Sequence, residues 1–298
     1  MELLDEEEHK HYMDAARIAA GVRTVAEECT KPGAKLFDIA TAIESEVVKE
    51  GGKNAFPVNI SINDTAAHYT PCIGDETVLG EKDLVKIDFG VHVEGCIIDQ
   101  AFTVDFGGEN GKLVEAADAA LNDALATMKA GVSVKEVGAA IQNAITSRGF
   151  KPIENLGGHS LEPYILHAGE EIPNTAKGSY VLQEGDVFAV EPFATTGAGR
   201  VDEGNYCEIH SLINPKPVRL PQSRRVLEHI LEEYKTLPFA ERWLAGMLST
   251  SSIELVVNDL VRQGILHSYA VLKEINKGVV AQSEVTVIIE KDGVKNLC

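Results

Sequence analysis

The stretch Val85–Val104 constrains the fold of this chain more than any other. It consists of two apolar runs joined by a short polar turn at His92–Gly95, a pattern typical of a β-hairpin. Asp88 and Asp99 lie inside the two runs rather than at their ends. If the chain folds back at the middle of this turn, the two carboxylates are direct cross-strand neighbours, with Cβ atoms about 4.5–5.5 Å apart.

Two like charges side by side on paired strands are unfavourable unless something neutralises them. A divalent cation, or a pair of cations, is the usual solution. The simpler interpretation is one acid near an exposed turn and one near a strand end, in a protein that is acidic throughout. The hairpin alone leaves both interpretations open.

The order of elements around the hairpin predicts the fold class. Apolar spacing near 3.6 residues indicates helices before the hairpin and two more after it, and alternation indicates one strand. The predicted helices are 6–29, 36–50, 112–129 and 134–148, and the strand is 55–63. Helices and strands segregated in this way favour an α+β fold with an antiparallel sheet over a doubly wound parallel sheet.

The distribution of charge predicts a separate module. The chain carries a formal net charge of −19. Residues 200–278 contain as many basic as acidic side chains, so the remainder carries the whole excess. We therefore predict a catalytic domain formed by 1–199 and 279–298 and a helical insert at 200–278. Three helical segments and two short strands give the insert a winged-helix outline: 223–237, 238–247, 252–263, 271–276 and 279–282.

Composition limits the partners and the compartment. The net charge argues against a nucleic-acid surface, and the neutral insert is interpreted as structural. No apolar run approaches the length of a membrane span, and the acidic start of the sequence is unlike a secretory signal. The five scattered cysteines contain no CxxC pair, which favours reduced thiols in a cytoplasmic protein.

Five candidate metal ligands lie in the strands of the hairpin, at other strand ends or in glycine-rich loops: Asp88, Asp99, His159, Glu191 and Glu284. One histidine and four carboxylates form a hard donor set that suits Mn, Fe, Co or Zn in a two-metal site. Each residue also has a simpler interpretation: a turn cap, a satisfied loop histidine, a solvated strand end or an edge-strand charge. The sequence gaps are too long for spacing alone to show that the five converge.

The sequence resembles the type 2 methionine aminopeptidases over nearly its whole length, in the short form found in archaea. The resemblance implies the pita-bread α+β fold, with the site in the middle of a curved antiparallel sheet. It rests on these segments: Phe56–Pro71, Asp88-Phe-Gly, Ile98–Thr103, Asn155–Ser160, Leu166–Gly169, Val190–Phe193 and Ala281–Glu284.

The resemblance also implies two divalent metal ions (Co, Mn, Fe or Zn). Asp99 and Glu284 are expected to bridge them, Asp88 to complete one shell, and His159 and Glu191 to complete the other. Water activated by the metals is the expected nucleophile. Glu191 is the expected acceptor of its proton. The expected reaction is removal of the initiator methionine from nascent peptides whose second residue is small.

Further roles follow from the resemblance. His167 is expected to stabilise the oxyanion, and His68 to contact the scissile amide or its leaving nitrogen. Phe56 and Leu166 are expected to line the methionine pocket. Val285 departs from the family pattern, which has histidine after the last glutamate, and we expect it to tune the site rather than abolish activity.

Two alternatives remain at this stage. One is an Xaa-Pro dipeptidase or aminopeptidase P, which uses the same ligands but carries an additional N-terminal domain. The other is a non-catalytic relative that binds RNA or ribosomes, which loses ligands and gains basic tails. Neither pattern is seen in this sequence. The expected partners are nascent polypeptide N-termini, with the ribosome as a candidate and no nucleic acid or membrane, and the expected state is a monomer.

Overall fold

The structure, a computed structural model, describes residues 4–298. Six α-helices lie within this range: α1 Glu6–Cys29, α2 Leu36–Lys49, α3 Gly111–Thr127, α4 Val134–Ser147, α5 Pro221–Glu233 and α6 Thr250–Arg262. The strands before α5 are β1 Lys53–Ile62, β2 Thr65–Ala67, β3 Leu84–Val93, β4 Cys96–Asp105, β5 Lys151–Pro152, β6 Gly157–Ser160, β7 Glu171–Pro173, β8 Val187–Val190, β9 Phe193–Thr195, β10 Val201–Glu203 and β11 Ile209–Leu212. Those after it are β12 Phe239–Ala240, β13 Leu266–Tyr269, β14 Leu272–Glu274, β15 Val280–Gln282, β16 Val285–Glu290 and β17 Gly293–Asn296.

The structure confirms the four helices predicted outside 200–278. They form because their sequences carry both an apolar stripe and end signals. Helix α1 begins with a capping box in which Asp5 accepts from the backbone N–H of Glu8, and the Glu8 side chain accepts from that of Asp5. Helix α2 ends before Gly51, whose φ of 89° only glycine adopts at little cost.

The β3–β4 hairpin forms as predicted, but its register is different. The turn is Glu94–Gly95, with φ values of 48° and 92°, and Val93 pairs with Cys96. Positive φ at both central residues is the signature of a two-residue type I′ turn. The fold-back therefore lies one residue further along than expected. Asp99 faces Gly90, and Asp88 faces Ala101.

The prediction that Asp88 and Asp99 are direct cross-strand neighbours is therefore wrong. They are diagonal neighbours on one face of the hairpin, a relation that separates Cα atoms by about 7–8 Å. The wider spacing reduces their mutual repulsion and leaves room between the two carboxylates.

Every strand pairing among the described residues is antiparallel, as predicted. Helices α1 and α2 cover the sheet β1-β3-β4, and helices α3 and α4 pack on the sheet that contains β8 and β16. An isolated bridge between Ala101 and Glu284 joins the two sheets. This architecture confirms the α+β pita-bread fold class and brings the ends of several strands together between the two halves.

The 200–278 segment has a hydrophobic core of its own, built mainly on α5, α6 and the sheet β12-β11-β13. The predicted helices at 223–237 and 252–263 are confirmed as α5 and α6, and each begins two residues earlier than predicted. The predicted helix 238–247 is wrong, since this stretch forms β12 and a single 3₁₀ turn at Glu241–Leu244. Strand β13 was not predicted. The limits of the segment as a domain stay a prediction.

Within residues 4–298, no helix combines the length and the apolar character needed to cross a lipid bilayer.

Candidate metal centre

A cavity of ≈ 330 Å³ opens between the two halves of the fold, and all nine predicted site residues line it. The five predicted ligands come from four parts of the chain. Asp88 and Asp99 lie on the β3–β4 hairpin, and His159 lies on β6. Glu191 directly follows β8 and Glu284 directly precedes β16, two strands that pair with each other. Antiparallel pairing thus places residues far apart in sequence at one point.

Three of these residues form the centre of the cluster. One ligand atom each from Asp99, His159 and Glu284 lies within 4.8 Å of the others. His159 Nε2 is 3.6 Å from Asp99 Oδ2 and 3.7 Å from Glu191 Oε1. These distances are longer than hydrogen bonds, so the imidazole and the carboxylates point towards a shared space rather than at each other.

Burial and mutual repulsion shape the charge of the cluster. Burial raises the pKa of Asp88 to about 7. Burial, followed by repulsion from neighbouring carboxylates, raises the pKa of Asp99, Glu191 and Glu284 well above their ordinary values. Burial also lowers the pKa of His159, so its imidazole is neutral near pH 7. A neutral imidazole keeps a lone pair for a metal ion.

The donor set fits divalent metal ions. Asp88 Oδ1 and Asp99 Oδ1 are buried oxygens that have no hydrogen-bond partner among the described residues. Buried polar atoms are normally paired, and an unpaired carboxylate oxygen is costly unless a cation satisfies it. Oxygen-rich clusters with one imidazole are typical of hard or borderline divalent ions. The residues present are therefore suitable ligands for such ions.

The two predicted catalytic histidines lie beside this cluster. The ring centroids of His159 and His167 are 4.3 Å apart. Burial, then the neighbouring histidines, lowers the pKa of His167 to about 4, so the ring is neutral near pH 7 and has one N–H to donate. Burial also lowers the pKa of His68. His68 Nδ1 lies 3.1 Å from the carbonyl oxygen of Ala270.

The contact with Ala270 fixes the tautomer of His68. A carbonyl oxygen only accepts hydrogen bonds, so Nδ1 of His68 carries the proton. The other ring nitrogen, Nε2, is then an acceptor in the neutral ring. His68 is thus prepared to accept an N–H rather than to donate to an oxygen.

An apolar wall completes the cavity. Phe56 is buried on β1, and Leu166 packs at the edge of the same hydrophobic core. Phe56 pairs with Gly90, the residue that also faces Asp99. A Cβ atom at position 90 would overlap the Phe56 ring, so glycine at this position lets the aromatic wall approach the carboxylates.

Sequence reasoning missed two residues of the site. Gln282 is buried, and its Nε2 lies 3.1 Å from Glu284 Oε2 and 3.4 Å from Glu191 Oε2. The signal was strand alternation, which places residues 282 and 284 on the same face. Tyr269 also lines the cavity, and its ring lies 5.7 Å from His68 and 6.1 Å from His167. It comes from β13, and no local signal marks it.

Comparison with known proteins agrees with this geometry. A model described as metallopeptidase family M24 matches residues 10–216. The chain is 52% identical to a methionine aminopeptidase of Pyrococcus horikoshii over 95% of this chain and 96% of that protein.

Two solved structures share the fold. A thermophilic Arx1 superposes with a TM-score of 0.85 at 19% identity, covering 99% of this chain and 91% of that one. A methionine aminopeptidase of Thermotoga maritima gives a TM-score of 0.71 at 21% identity, covering 100% and 98%. At these identities the structures establish the fold alone.

Proposed function

Because the chain belongs to metallopeptidase family M24, we propose that it is a methionine aminopeptidase, which hydrolyses the bond after an N-terminal methionine. The observation that carries the proposal is a carboxylate–histidine cluster in a cavity with an apolar wall, in a chain that is 52% identical to a methionine aminopeptidase along nearly its whole length. The Xaa-Pro peptidase alternative is not favoured, because the similarity to the methionine aminopeptidase covers 95% of this chain and 96% of that protein.

Membership of a metallopeptidase family implies a divalent metal ion. We propose that two ions are held, with Asp88, Asp99, His159, Glu191 and Glu284 as ligands. When bound, such ions supply Lewis-acid activation of water and of the scissile carbonyl. Support comes from the unpaired buried oxygens of Asp88 and Asp99 and from the neutral His159.

The side chains of this protein then handle the protons. A carboxylate oxygen of Glu191 accepts the proton of the attacking water, the role that the resemblance implies for this residue. The neutral His167 donates its N–H to the oxygen of the tetrahedral intermediate. Nε2 of His68 accepts an N–H from the scissile amide, in keeping with the tautomer set by Ala270.

Substrate choice follows from the walls of the cavity. Phe56 and Leu166 offer apolar surface to the methionine side chain. The free α-amine of the substrate is expected to meet the metal-holding cluster, which restricts cleavage to the end of a peptide. A small second residue is the expected requirement.

We further assign the protein to the type 2 class, with the 200–278 segment as its characteristic insert. Support comes from the separate hydrophobic core of this segment. The proposed setting is a cytoplasmic monomer acting on nascent chains, with the ribosome as a candidate partner. All five cysteines are free thiols in residues 4–298, in keeping with a reducing compartment.

The test is hydrolysis of Met-Ala-Ser, compared with Leu-Pro, by metal-stripped protein titrated with Mn, Co, Fe or Zn. Cleavage of Met-Ala-Ser that requires metal is the expected result, and the titration identifies the usable ions. Hydrolysis of Leu-Pro alone would reassign the chain to the Xaa-Pro peptidases. No cleavage of either peptide by metal-loaded protein would refute the enzymatic function.

A further inference from the structure

The loop that follows β2 holds His68 in an unusual backbone conformation. His68 has a φ of 65°, in the left-handed region that side chains with a Cβ rarely adopt. Strand β2 ends at Ala67, and no helix or strand includes residues 68–83. A strained residue at a functional site persists only when its surroundings impose the conformation. The surroundings of this loop therefore determine where His68 points.

Much of that support comes from the 200–278 segment. The Tyr206 hydroxyl donates to the carbonyl oxygen of Thr70 at 2.9 Å, and the rings of Tyr206 and Tyr69 stack at 5.1 Å. Arg242 Nη1 donates to Thr70 Oγ1 at 2.7 Å and to the carbonyl oxygen of Pro71 at 3.1 Å. Side chains of the 200–278 segment thus contact the loop at residues 69–71, directly after His68.

The Arg242 guanidinium also reaches the catalytic half of the molecule. Its Nη2 donates to Glu44 Oε1 on helix α2. The Glu44 carboxylate accepts two further hydrogen bonds, from Trp243 Nε1 at 3.0 Å and from the backbone N–H of Val58 at 3.1 Å. The guanidinium therefore joins the loop to α2 directly, and to β1 through Glu44. The loop also contacts β1 itself, because Thr70 Oγ1 donates to the carbonyl oxygen of Val58.

The buried ion pair between Arg242 and Glu44 is better suited to orienting its partners than to stabilising the fold. The side chains of Arg242 and Glu44 are only 5% and 11% exposed. Removing both charges from water is costly, and apolar replacements of buried pairs are often no less stable. A guanidinium, however, offers donors in a fixed planar fork, so it holds two partners in one relative orientation. Arg242 is not among the residues that line the cavity, so it can act there only through the loop.

We propose that Arg242, anchored by Glu44, is a positioning residue that fixes the His68 imidazole for the reaction. The proposal rests on the role of His68 in the proposed function. Under this proposal, the 200–278 segment contributes to catalysis by holding the loop that carries His68 in place from outside the cavity.

The decisive experiment is a double-mutant cycle on the metal-loaded, full-length protein, with Met-Ala-Ser as substrate. Arg242→Lys keeps a positive charge beside Glu44 but removes the fork. We expect kcat/KM to fall by roughly ten- to a hundredfold, mainly through kcat, since small misplacements cost factors of this size. Bound metal, measured by elemental analysis, should be unchanged. In a His68→Ala background, Arg242→Lys should change kcat/KM by less than about twofold.

Two further variants keep the test sharp. Arg200→Lys is the matched control, because Arg200 also pairs with a glutamate, Glu154 at 2.8 Å, but on the exposed surface; activity should not change. Tyr206→Phe removes only the hydroxyl that holds Thr70, and it covers the case in which Arg242→Lys does not fold. Tyr206→Phe should also lower kcat, by a smaller factor than Arg242→Lys. Hydrogen exchange of the backbone amides at 68–70 should accelerate in both Arg242→Lys and Tyr206→Phe.

The outcomes separate the two proposals. An equal loss from Arg242→Lys in both backgrounds would mean a general structural role and would overturn the positioning role while leaving that of His68 intact. Full activity in His68→Ala would overturn the role of His68, and the positioning role with it. Unchanged activity in Arg242→Lys and Tyr206→Phe would overturn the positioning role alone.

Discussion

At the scale of single residues, the two histidines that lie 4.3 Å apart at the site have different expected tasks. His159 is a proposed ligand, because its Nε2 faces two carboxylates in a shared space. His159→Ala should therefore lose bound metal and activity together. The measurement is the metal content of purified protein alongside its rate on Met-Ala-Ser. A variant that retained both would remove His159 from the ligand set.

His167→Ala should instead keep its metal and lose turnover. The proposed N–H donated to the oxyanion is worth about 10²–10³ in kcat in comparable sites. The metal content and kcat of the variant test this directly. His229→Ala is the control, since that residue lies on helix α5 beside Tyr234. Retention of full kcat in His167→Ala would show that its assigned role is wrong.

The sequence marked the five proposed ligands locally only as candidates, and the resemblance rather than their spacing selected them. The contacts between side chains at the site were not predictable. Tyr269 reaches the cavity from β13, about 200 residues along the chain from His68, and only tertiary packing brings the two together. Gln282 could have been found from strand alternation, but its bonds to Glu191 and Glu284 required the folded sheet.

At the scale of elements, the close approach of β1 to β3 depends on Gly90. A methyl group at this position would overlap the Phe56 ring. Gly90→Ala should displace the ring and raise KM for methionyl peptides about tenfold or more, with stability lowered by about 1–3 kcal/mol from overpacking. Steady-state kinetics and urea unfolding measure the two effects.

Gly21→Ala supplies the contrast for this substitution. Gly21 lies within α1 with open space where the new methyl group would go. Here alanine should stabilise the protein by up to about 1 kcal/mol through helix propensity and leave KM unchanged. Equal effects of the two substitutions would contradict the packing argument at Gly90.

The junction between β14 and the glycine-rich loop after β9 depends on Glu274. Its carboxylate accepts backbone N–H bonds from Gly199 at 3.2 Å, Asn276 at 2.7 Å and Gly278 at 2.9 Å, and another from Ala198. Burial opposes ionisation, but these N–H groups outweigh it and lower the pKa of Glu274.

Glu274→Gln should lower the free energy of unfolding at pH 7 by about 1–3 kcal/mol. Because the folded-state pKa is lowered, this contribution is present above the carboxyl's ordinary pKa of 4.5 and is lost as the pH falls below it. Urea unfolding at pH 7 and at pH 4 measures the difference. Glu232→Gln, an exposed position on α5, is the control. A deficit that is the same at both pH values would contradict the assignment.

Elements were predictable in proportion to their length and periodicity. Helices α1 to α4 each carry an apolar face and end signals, so their bounds were close to those observed. Strand β13 is only four residues long, and β12 only two, so their conformation depends on the β11 backbone beside them. The hairpin register was missed by one residue, because Glu94 and not only Gly95 adopts a positive φ in the turn.

At the scale of the whole molecule, the acidic cluster links stability to pH and metal. In metal-free protein, burial raises the pKa of Asp88 to about 7 and, with repulsion, raises those of Asp99, Glu191 and Glu284. Because these carboxyl groups have higher pKa values in the folded than in the unfolded protein, the folded state is favoured at low pH. This stabilisation is lost as the pH rises through the folded-state pKa values.

The free energy of unfolding of metal-free protein should thus fall by about 1–4 kcal/mol between pH 5 and pH 8. Mn²⁺ at a hundred times its Kd should restore about 2.7 kcal/mol at pH 8. Urea unfolding with EDTA or with Mn²⁺ makes the comparison. Asp88→Asn should flatten the dependence in EDTA. An identical pH dependence with and without Mn²⁺ would contradict the coupling.

The separation of the four acids and one histidine of the cluster along the chain has a consequence for biosynthesis. Translation delivers Asp88 first and Glu284 last, with 195 residues between them. A growing chain that has not yet reached the β15–β16 junction can fold its first hairpin but cannot complete the cluster. With the proposed ligand set, we therefore expect the polypeptide to be inactive through most of its own synthesis and truncated products to be inactive as well.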